Sequence, residues 1–205
     1  MVSPTNIHWI ILAGGRASRM GGSDKGLIPL NGEPLISFVF NQLKTQAHTI
    51  SISANRHQDE YQRFAPTFND DIDGFAGPLA GILAGLKHAQ DTEWVGFIPC
   101  DSPLISSTMI ERLCQGSNQN EENEISDIVT AHDGKRLQPL FSIWHRDNQA
   151  ALEQFLMQGE RKVTTFLDQR KTGLVDFSDV AKSFINLNTP EELTKFAKQA
   201  AFALK

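Results

Sequence analysis

Two short stretches hold residues whose types could do chemistry together. The first is LAGGRASRMGGSDKGL, residues 12–27, where glycines alternate with Arg16, Arg19 and Lys25. The second is IPCDSP, residues 98–103, where Asp101 stands between Pro99 and Pro103. Glycines let a backbone approach a ligand closely and turn its N–H groups toward it. From residue 15 to residue 25, Arg16, Arg19 and Lys25 face the single carboxylate of Asp24, in a chain whose net charge is -5. A polyphosphate explains that local excess of positive charge. A carboxylate such as Asp101 repels a polyphosphate unless a cation lies between them, and Mg²⁺ prefers one or two carboxylates plus phosphate oxygens. The chemistry implied is transfer of a nucleotidyl group. Loop amides, Arg19 and Lys25 hold the phosphates, and Mg²⁺ on Asp101 neutralises charge as pyrophosphate leaves. An anionic phosphate nucleophile needs little help from a base, so positioning and charge neutralisation carry the rate.

The bland readings are a flexible glycine-rich turn with solvated arginines, and a capping or turn aspartate at 101. The loop also misses both common phosphate-binding strings. A P-loop requires Gly-Lys followed by Ser or Thr, yet Asp24 precedes Lys25 and Gly26 follows it. The GxGxxG spacing of a dinucleotide fold is absent from the loop. What favours function is placement, because each stretch directly follows an apolar run.

Those runs define the elements that must position the site. Ile7, Trp9, Ile10, Ile11 and Leu12 form a short, nearly continuous apolar segment, the pattern of a strand buried on both faces. WVGFIPCD, 94–101, is another such strand, ending at Asp101, with a helix expected from near Ser106. TISISAN, 49–55, alternates like a strand, and a weaker strand lies around Phe68. Helices are expected over Pro34–Lys44, with Leu35, Phe38, Val39 and Leu43 on one side, and over GPLAGILAGLKHA, 77–89. This alternation argues for an α/β fold, a Rossmann-like, mainly parallel sheet with helices on both faces. Loops leaving the carboxyl ends of such strands lie where these sheets bind ligands. The second half is less regular. QGSNQNEENE, 115–124, reads as a solvated loop, and residues 125–145 as two strands around a turn at Asp133-Gly134. NTPEEL opens the last helix, with Thr189 as cap, Pro190 first in the helix and Glu192 completing a capping box.

Length and composition exclude several classes. The 205 residues, 40% hydrophobic and 21% charged, suit one packed domain over 1–205, without repeats or linkers. An acidic balance disfavours nucleic acid as a partner. Cys100 and Cys114 form no CxxC or zinc spacing and read as reduced thiols in a cytoplasmic protein. The N-terminus has no signal-peptide pattern, and no apolar run approaches the roughly 18 residues of a membrane span.

The loop string resembles the LAGGxxxRMGxxK signature of nucleotidyltransferases that make sugar nucleotides and cofactors. Its Gly-Gly doublet before Asp-Lys-Gly is most similar to the molybdenum cofactor guanylyltransferase (MobA) family. Further matches cover most of the chain: ANRH at 54–57, GPLAG at 77–81, PCDSP at 99–103, LQPLFSIW at 137–144, GERKV at 159–163 and FINLNTPEEL at 184–193. The resemblance implies the nucleotide-diphospho-sugar transferase type of fold. It implies transfer of GMP from GTP to molybdopterin, or its molybdenum-loaded form, with Mg²⁺ as cofactor. Transient contacts with other molybdenum cofactor biosynthesis proteins and with recipient molybdoenzymes follow from that role.

Residue by residue, the resemblance implies that the backbone of Leu12, Ala13 and Gly14, continuing into Gly15, recognises guanine. It places Lys25, Asn55, Asp70 and Asp101 on GTP, with Asp70 favoured over Asp71 by counting back from GPLAG. The family often has Asn-x-Asn where this chain has Ser53-Ala54-Asn55, which weakens the first of those contacts. Gly81 and Arg161 match the family pattern, and Arg161, Asn186 and Asn188 fall on the pterin side. Asn186 and Asn188 are two apart in an extended segment, so both amides are expected on one face. The rivals are a cytidylyltransferase for the same pterin, a sugar-phosphate nucleotidyltransferase, a non-catalytic nucleotide-binding module and a dehydrogenase. The lost GxGxxG disfavours the last, and Lys25 together with Asp101 disfavours mere binding.

Overall fold

The computed structural model describes residues 2–14, 24–70, 77–117 and 126–203. Arg16, Arg19, Gly15 and Asp71 lie outside the described residues. The strands are β1 (Ile7–Leu12), the short β2 (Pro29–Leu30) and β3 (Glu33–Pro34), β4 (Thr49–Ser53), β5 (Thr67–Phe68), β6 (Trp94–Pro99), β7 (Ile128–His132), β8 (Leu137–His145) and β9 (Thr172–Asp176). The α-helices are α1 (Leu35–Leu43), α2 (Gln58–Tyr61), α3 (Pro78–His88), α4 (Met109–Gly116), α5 (Asn148–Met157), α6 (Val163–Leu167) and α7 (Pro190–Ala203).

Seven strands form one sheet in the order β5-β4-β1-β6-β8-β7-β9, and β2 pairs with β3 apart from it. β1 pairs in parallel with β4 on one side and β6 on the other. The chain steps outward from β1 to β4 and β5, then returns to β6 on β1's other side. That reversal opens a crevice at the carboxyl ends of β1, β4 and β6. β8 runs antiparallel to both β6 and β7, while β7 and β9 are parallel. The sheet is therefore mainly parallel, with β8 opposed among the described strands.

The continuous apolar run of β1 follows from burial on both faces. Ile7, Trp9 and Ile11 pack with Ile36 and Val39 of α1 and with Met109 and Leu113 of α4. Ile10 points the other way, to Leu79, Ile82 and Leu86 of α3 and Leu152 and Phe155 of α5. Gly96 in β6 pairs with Trp9, and a Cβ at Gly96 would lie 2.5 Å from the indole. The missing side chain is thus the space that Trp9 fills. α1 starts one residue later than the spacing predicts, because Pro34 belongs to β3. α4 starts at Met109 rather than near Ser106.

Residues beyond 145 are more regular than the sequence predicts: α5, α6 and β9 add two helices and an edge strand. α7 has the expected capping box, with Thr189 N–H donating to Glu192 Oε2 at 3.1 Å and Glu192 N–H to Thr189 Oγ1 at 3.2 Å. Leu193 of α7 joins Leu187, Leu30 and Leu35 in a separate apolar cluster. Burying each such leucine stabilises by about 1.5–3 kcal/mol, which seats the segment before α7 against the sheet's carboxyl end.

One pH response follows from the α3 face. His8 Nε2 and His88 Nε2 lie 2.9 Å and 3.4 Å from the Ser51 hydroxyl, and the His88 ring stacks on Phe68. Burial pushes both imidazoles below their ordinary 6.5; for His8 the nearby His88 adds to this and Asp91 opposes it. The unfolded chain then takes up protons more readily than the folded one once pH falls below 6.5. The stabilisation is complete above that value and is lost as pH falls through the lowered folded values. Urea midpoints are expected to drop between about pH 7.5 and about pH 5.5, and to drop less for the His8→Gln/His88→Gln variant. Equal slopes for the two proteins would refute the assignment.

Candidate active site at the carboxyl ends of three strands

A cleft of about 370 Å³ opens at the crevice, walled by Leu12, Ala13 and Gly14 after β1, Ser53 at the end of β4, and Pro99, Cys100 and Asp101 at the end of β6. Asp70 and Lys25 complete one side, Leu140 and Asn186 another. Gly77, Pro78 and Gly81 line it from the first turns of α3. A helix N-terminus presents unpaired amides and a partial positive charge, which suits an anion. At Gly81 a Cβ would come within 3.0 Å of Leu12 Cδ2 and 3.3 Å of Ser53 Oγ, so glycine lets α3 close on the strand ends.

The two chemistry-bearing stretches meet here. Lys25 Nζ donates to Asp101 Oδ2 at 2.9 Å, although 76 positions separate them in sequence. Asp101 is buried, and its other oxygen, Oδ1, has no hydrogen-bond partner among the described residues. An ionised oxygen held away from water without a partner is costly, and a cation is the partner that fits best. Asp101 Oδ1 is therefore the atom that could ligate a metal. Among the described residues no group of three or more His, Cys, Asp or Glu side chains could hold one alone.

Lys25 is braced from behind. Asp24 is buried, accepts a hydrogen bond from the Tyr61 hydroxyl, and lies 3.9 Å from the Arg56 guanidinium. Gly26 sits against the Tyr61 ring, where a Cβ would lie 2.5 Å from the hydroxyl oxygen. Sequence reasoning saw Asp24 only as a charge offsetting the loop's cations, and missed Tyr61. The clue available was that Tyr61 is the chain's single tyrosine and falls just after ANRH. Burial, then the neighbouring Cys100 and Asp24, holds the Tyr61 phenol far above its usual range. Cys100 also lines the cleft, but burial and the Asp101 and Asp24 carboxylates push its thiol well up, against a smaller opposing effect of Lys25. That direction disfavours the thiolate and with it a nucleophilic role.

Asn55 and Asp70 form a reciprocal pair. Asn55 Nδ2 donates to Asp70 Oδ2 at 2.8 Å, and Asp70 N–H donates to Asn55 Oδ1 at 2.9 Å. Both lie against Gly14. Ser53 Oγ, near Gly81, is buried without a partner among the described residues. Two backbone groups expected to read a base are committed to the sheet: Ala13 N–H donates to the Ser53 carbonyl at 2.8 Å, and the Leu12 carbonyl accepts from Cys100 N–H at 3.1 Å.

The two asparagines before α7 reach this site from one extended segment. Asn186 Oδ1 accepts from the Ser102 hydroxyl at 2.5 Å, and Asn188 Oδ1 accepts from Lys25 Nζ. Between them, Leu187 N–H donates to the Asp101 carbonyl at 3.0 Å. Asn188 thus stands on the lysine rather than apart from the phosphate side. Arg161 is not brought to the cleft. It is exposed, and its Nη1 donates to the Leu156 and Glu160 carbonyls at 2.7 Å and 2.6 Å, closing the end of α5.

This fold is shared by solved proteins named for nucleotidyl transfer and cofactor biosynthesis. Molybdopterin-guanine dinucleotide biosynthesis protein A from Archaeoglobus fulgidus shares the fold, with a TM-score of 0.77 at 22% identity over 95% of this chain and 98% of that one. So does a nucleotidyl transferase from Methanothermobacter thermautotroptrophicus, with a TM-score of 0.72 at 17% identity over 96% and 98%. The family model of the MobA-like NTP transferase domain matches residues 9–173, and the chain belongs to that family. Relatives named molybdenum cofactor guanylyltransferase include one from Vibrio atlanticus (strain LGP32), 52% identical over 96% of this chain and 98% of its own length. Another, from Vibrio cholerae serotype O1 (strain ATCC 39315 / El Tor Inaba N16961), is 49% identical over 95% and 93%. No helix among the described residues is long and apolar enough to cross a membrane.

Proposed function

We propose that this protein transfers GMP from GTP to molybdopterin, or its molybdenum-loaded form, releasing pyrophosphate and making the guanine dinucleotide. The observation that carries the reading is the Lys25–Asp101 pair on the cleft wall, with Asp101 Oδ1 unpartnered among the described residues. The names of the Vibrio relatives support guanine and the pterin over the cytidylyl and sugar-phosphate rivals.

In this reading a terminal phosphate oxygen of the pterin attacks the α-phosphorus of GTP in line. The bond from that phosphorus to the oxygen bridging to the β-phosphate breaks, and pyrophosphate leaves with the electron pair. Lys25 supplies charge-assisted hydrogen bonds to phosphate oxygens. Arg19 joins it from the loop. The amides at the start of α3 add partial positive charge. Asp101 would hold Mg²⁺ through Oδ1 while Lys25 keeps Oδ2, so the lysine need not leave for the metal to arrive. When bound, Mg²⁺ supplies Lewis-acid neutralisation of the phosphate charge. Asn55 and Asp70 face the nucleoside beside Gly14, and the backbone of Leu12, Ala13 and Gly14 reads the base, with Ala13 N–H already bonded to the Ser53 carbonyl. Asn186 marks the side from which the pterin enters. The free, buried Cys100 and Cys114 support a cytoplasmic setting. Contacts with other cofactor-biosynthesis proteins and recipient molybdoenzymes belong to the same reading.

The test is pyrophosphate release from the purified chain with molybdopterin, Mg²⁺ and each nucleoside triphosphate in turn. GTP is expected to support release and CTP to support little. Release with CTP alone would move the assignment to the cytidylyl rival. Release only with a sugar phosphate in place of the pterin would reject the acceptor.

A further inference from the structure

The Lys25 ammonium has three N–H donors, and among the described residues two are placed: one on Asp101 Oδ2, the other on Asn188 Oδ1. Asn188 is itself held. Its backbone N–H donates to Glu192 Oε2 at 2.7 Å, beside Thr189 N–H on the same oxygen. Glu192 lies in the first turn of α7, and the neighbouring Leu193 is packed with Leu30, Leu35 and Leu187. Asp101 is tied to the same segment through the Leu187 N–H. Both acceptors of the ammonium therefore rest on the approach to α7.

We propose that Asn188 is a positioning residue for Lys25, and that the α7 capping box fixes the lysine's phosphate grip through it. A lysine stem left to itself samples many rotamers, and ordering them on binding costs affinity. With two N–H groups held, the third has a set direction and remains for a phosphate oxygen. The contact joins residues 163 positions apart, so it also makes the nucleotide site depend on how the C-terminal helix is seated. The inference rests on the reading of the cleft as a GTP site.

The test combines a double-mutant cycle with a measurement that needs no nucleotide. In calorimetric titrations of GTP with Mg²⁺, Asn188→Ala is expected to weaken binding about tenfold, the scale of one hydrogen bond to a charged group. Introduced into Lys25→Ala, the same change is expected to cost nothing further. Glu192→Gln, which keeps an acceptor oxygen, is expected to bind GTP like the parent chain, and Glu192→Ala to behave like Asn188→Ala. Equal losses in both lysine backgrounds, or no loss with Lys25 present, would overturn the proposal. On nucleotide-free protein, acetylation of each lysine followed by peptide mass spectrometry is expected to be faster at Lys25 in Asn188→Ala and unchanged elsewhere. An unchanged Lys25 rate would also overturn it. A parent chain that binds no GTP would instead reject the reading of the cleft, and the acetylation rates would still decide the role of Asn188.

Discussion

Replacing Asp101 by alanine is expected to cut pyrophosphate release by about three orders of magnitude, the scale of a lost metal anchor in a phosphoryl-type transition state. Asp101 joins two functions in one side chain: Oδ2 accepts from Lys25 Nζ, and Oδ1, unpartnered among the described residues, faces the phosphates in our reading. The fold is expected to survive, because Asp101's structural contact is made by its backbone carbonyl, which accepts from Leu187 N–H in any variant. Asp101→Asn separates charge from shape. Its amide keeps an oxygen for Lys25 but offers a metal much less, so its activity is expected to fall nearly as far. Initial rates at saturating GTP, with circular dichroism to verify folding, check both. Near-normal release by either variant with Mg²⁺ present would sink the metal assignment.

The carboxyl-end crevice was legible because its makers are local. β1 and β6 are short runs buried on both faces, and such runs stand out in any sequence. Asp101 follows one and the glycine loop follows the other, so their meeting needed only parallel strands. The cap at Thr189 and Glu192 was equally local, a reciprocal bond across three positions. The antiparallel pairing of β7 with β8 was legible, because the short turn at Asp133-Gly134 joins only antiparallel strands. What was not legible was β8's place beside β6, and its bulge, where Thr130 faces Ser142 but Ala131 faces Gln138, leaves no periodic trace. α5 was hidden for a different reason. It opens at Asn148, a polar residue that is buried because Asp127 and His145 carbonyls and Arg170 satisfy its amide. Nothing in a single sequence marks that asparagine as core.

The contacts behind Lys25 illustrate the remaining gap. Asp24 meets Tyr61 across 37 positions, and Asn188 meets Lys25 across 163. Two residues apart on one strand share a face, so the pairing of Asn186 with Asn188 could be read. What that face meets is decided by where α7 docks, and the leucines that dock it come from β2, α1 and α7 together. Arg161's bonds to the Leu156 and Glu160 carbonyls were hidden in the same way: a solvated charge and a donor that closes a helix end look identical until the end of α5 is seen.

Lys25→Ala is expected to weaken GTP binding more than pterin binding, because it removes a charge-assisted phosphate contact. Its effect on stability is more telling. Without the ammonium, neither oxygen of a buried carboxylate has a side-chain partner among the described residues. Breaking a fully buried pair costs about 3–5 kcal/mol, and the partial exposure of Lys25 brings the expected loss to about 2 kcal/mol. A cation that binds the folded chain but not the unfolded one recovers stability by mass action. With the repulsive charge of the ammonium gone, Asp101 attracts Mg²⁺ more strongly. The variant is therefore expected to melt lower than the parent in chelator, and to gain more than the parent when Mg²⁺ is added. Lys25→Ala/Asp101→Ala removes the stranded charge along with its cause, so it is expected to melt higher than Lys25→Ala in chelator and to ignore Mg²⁺. Thermal melts of the three proteins, each with chelator and with Mg²⁺, give the comparison. If Lys25→Ala gains no more from Mg²⁺ than the parent does, Asp101 is a partner for the lysine and not a metal ligand.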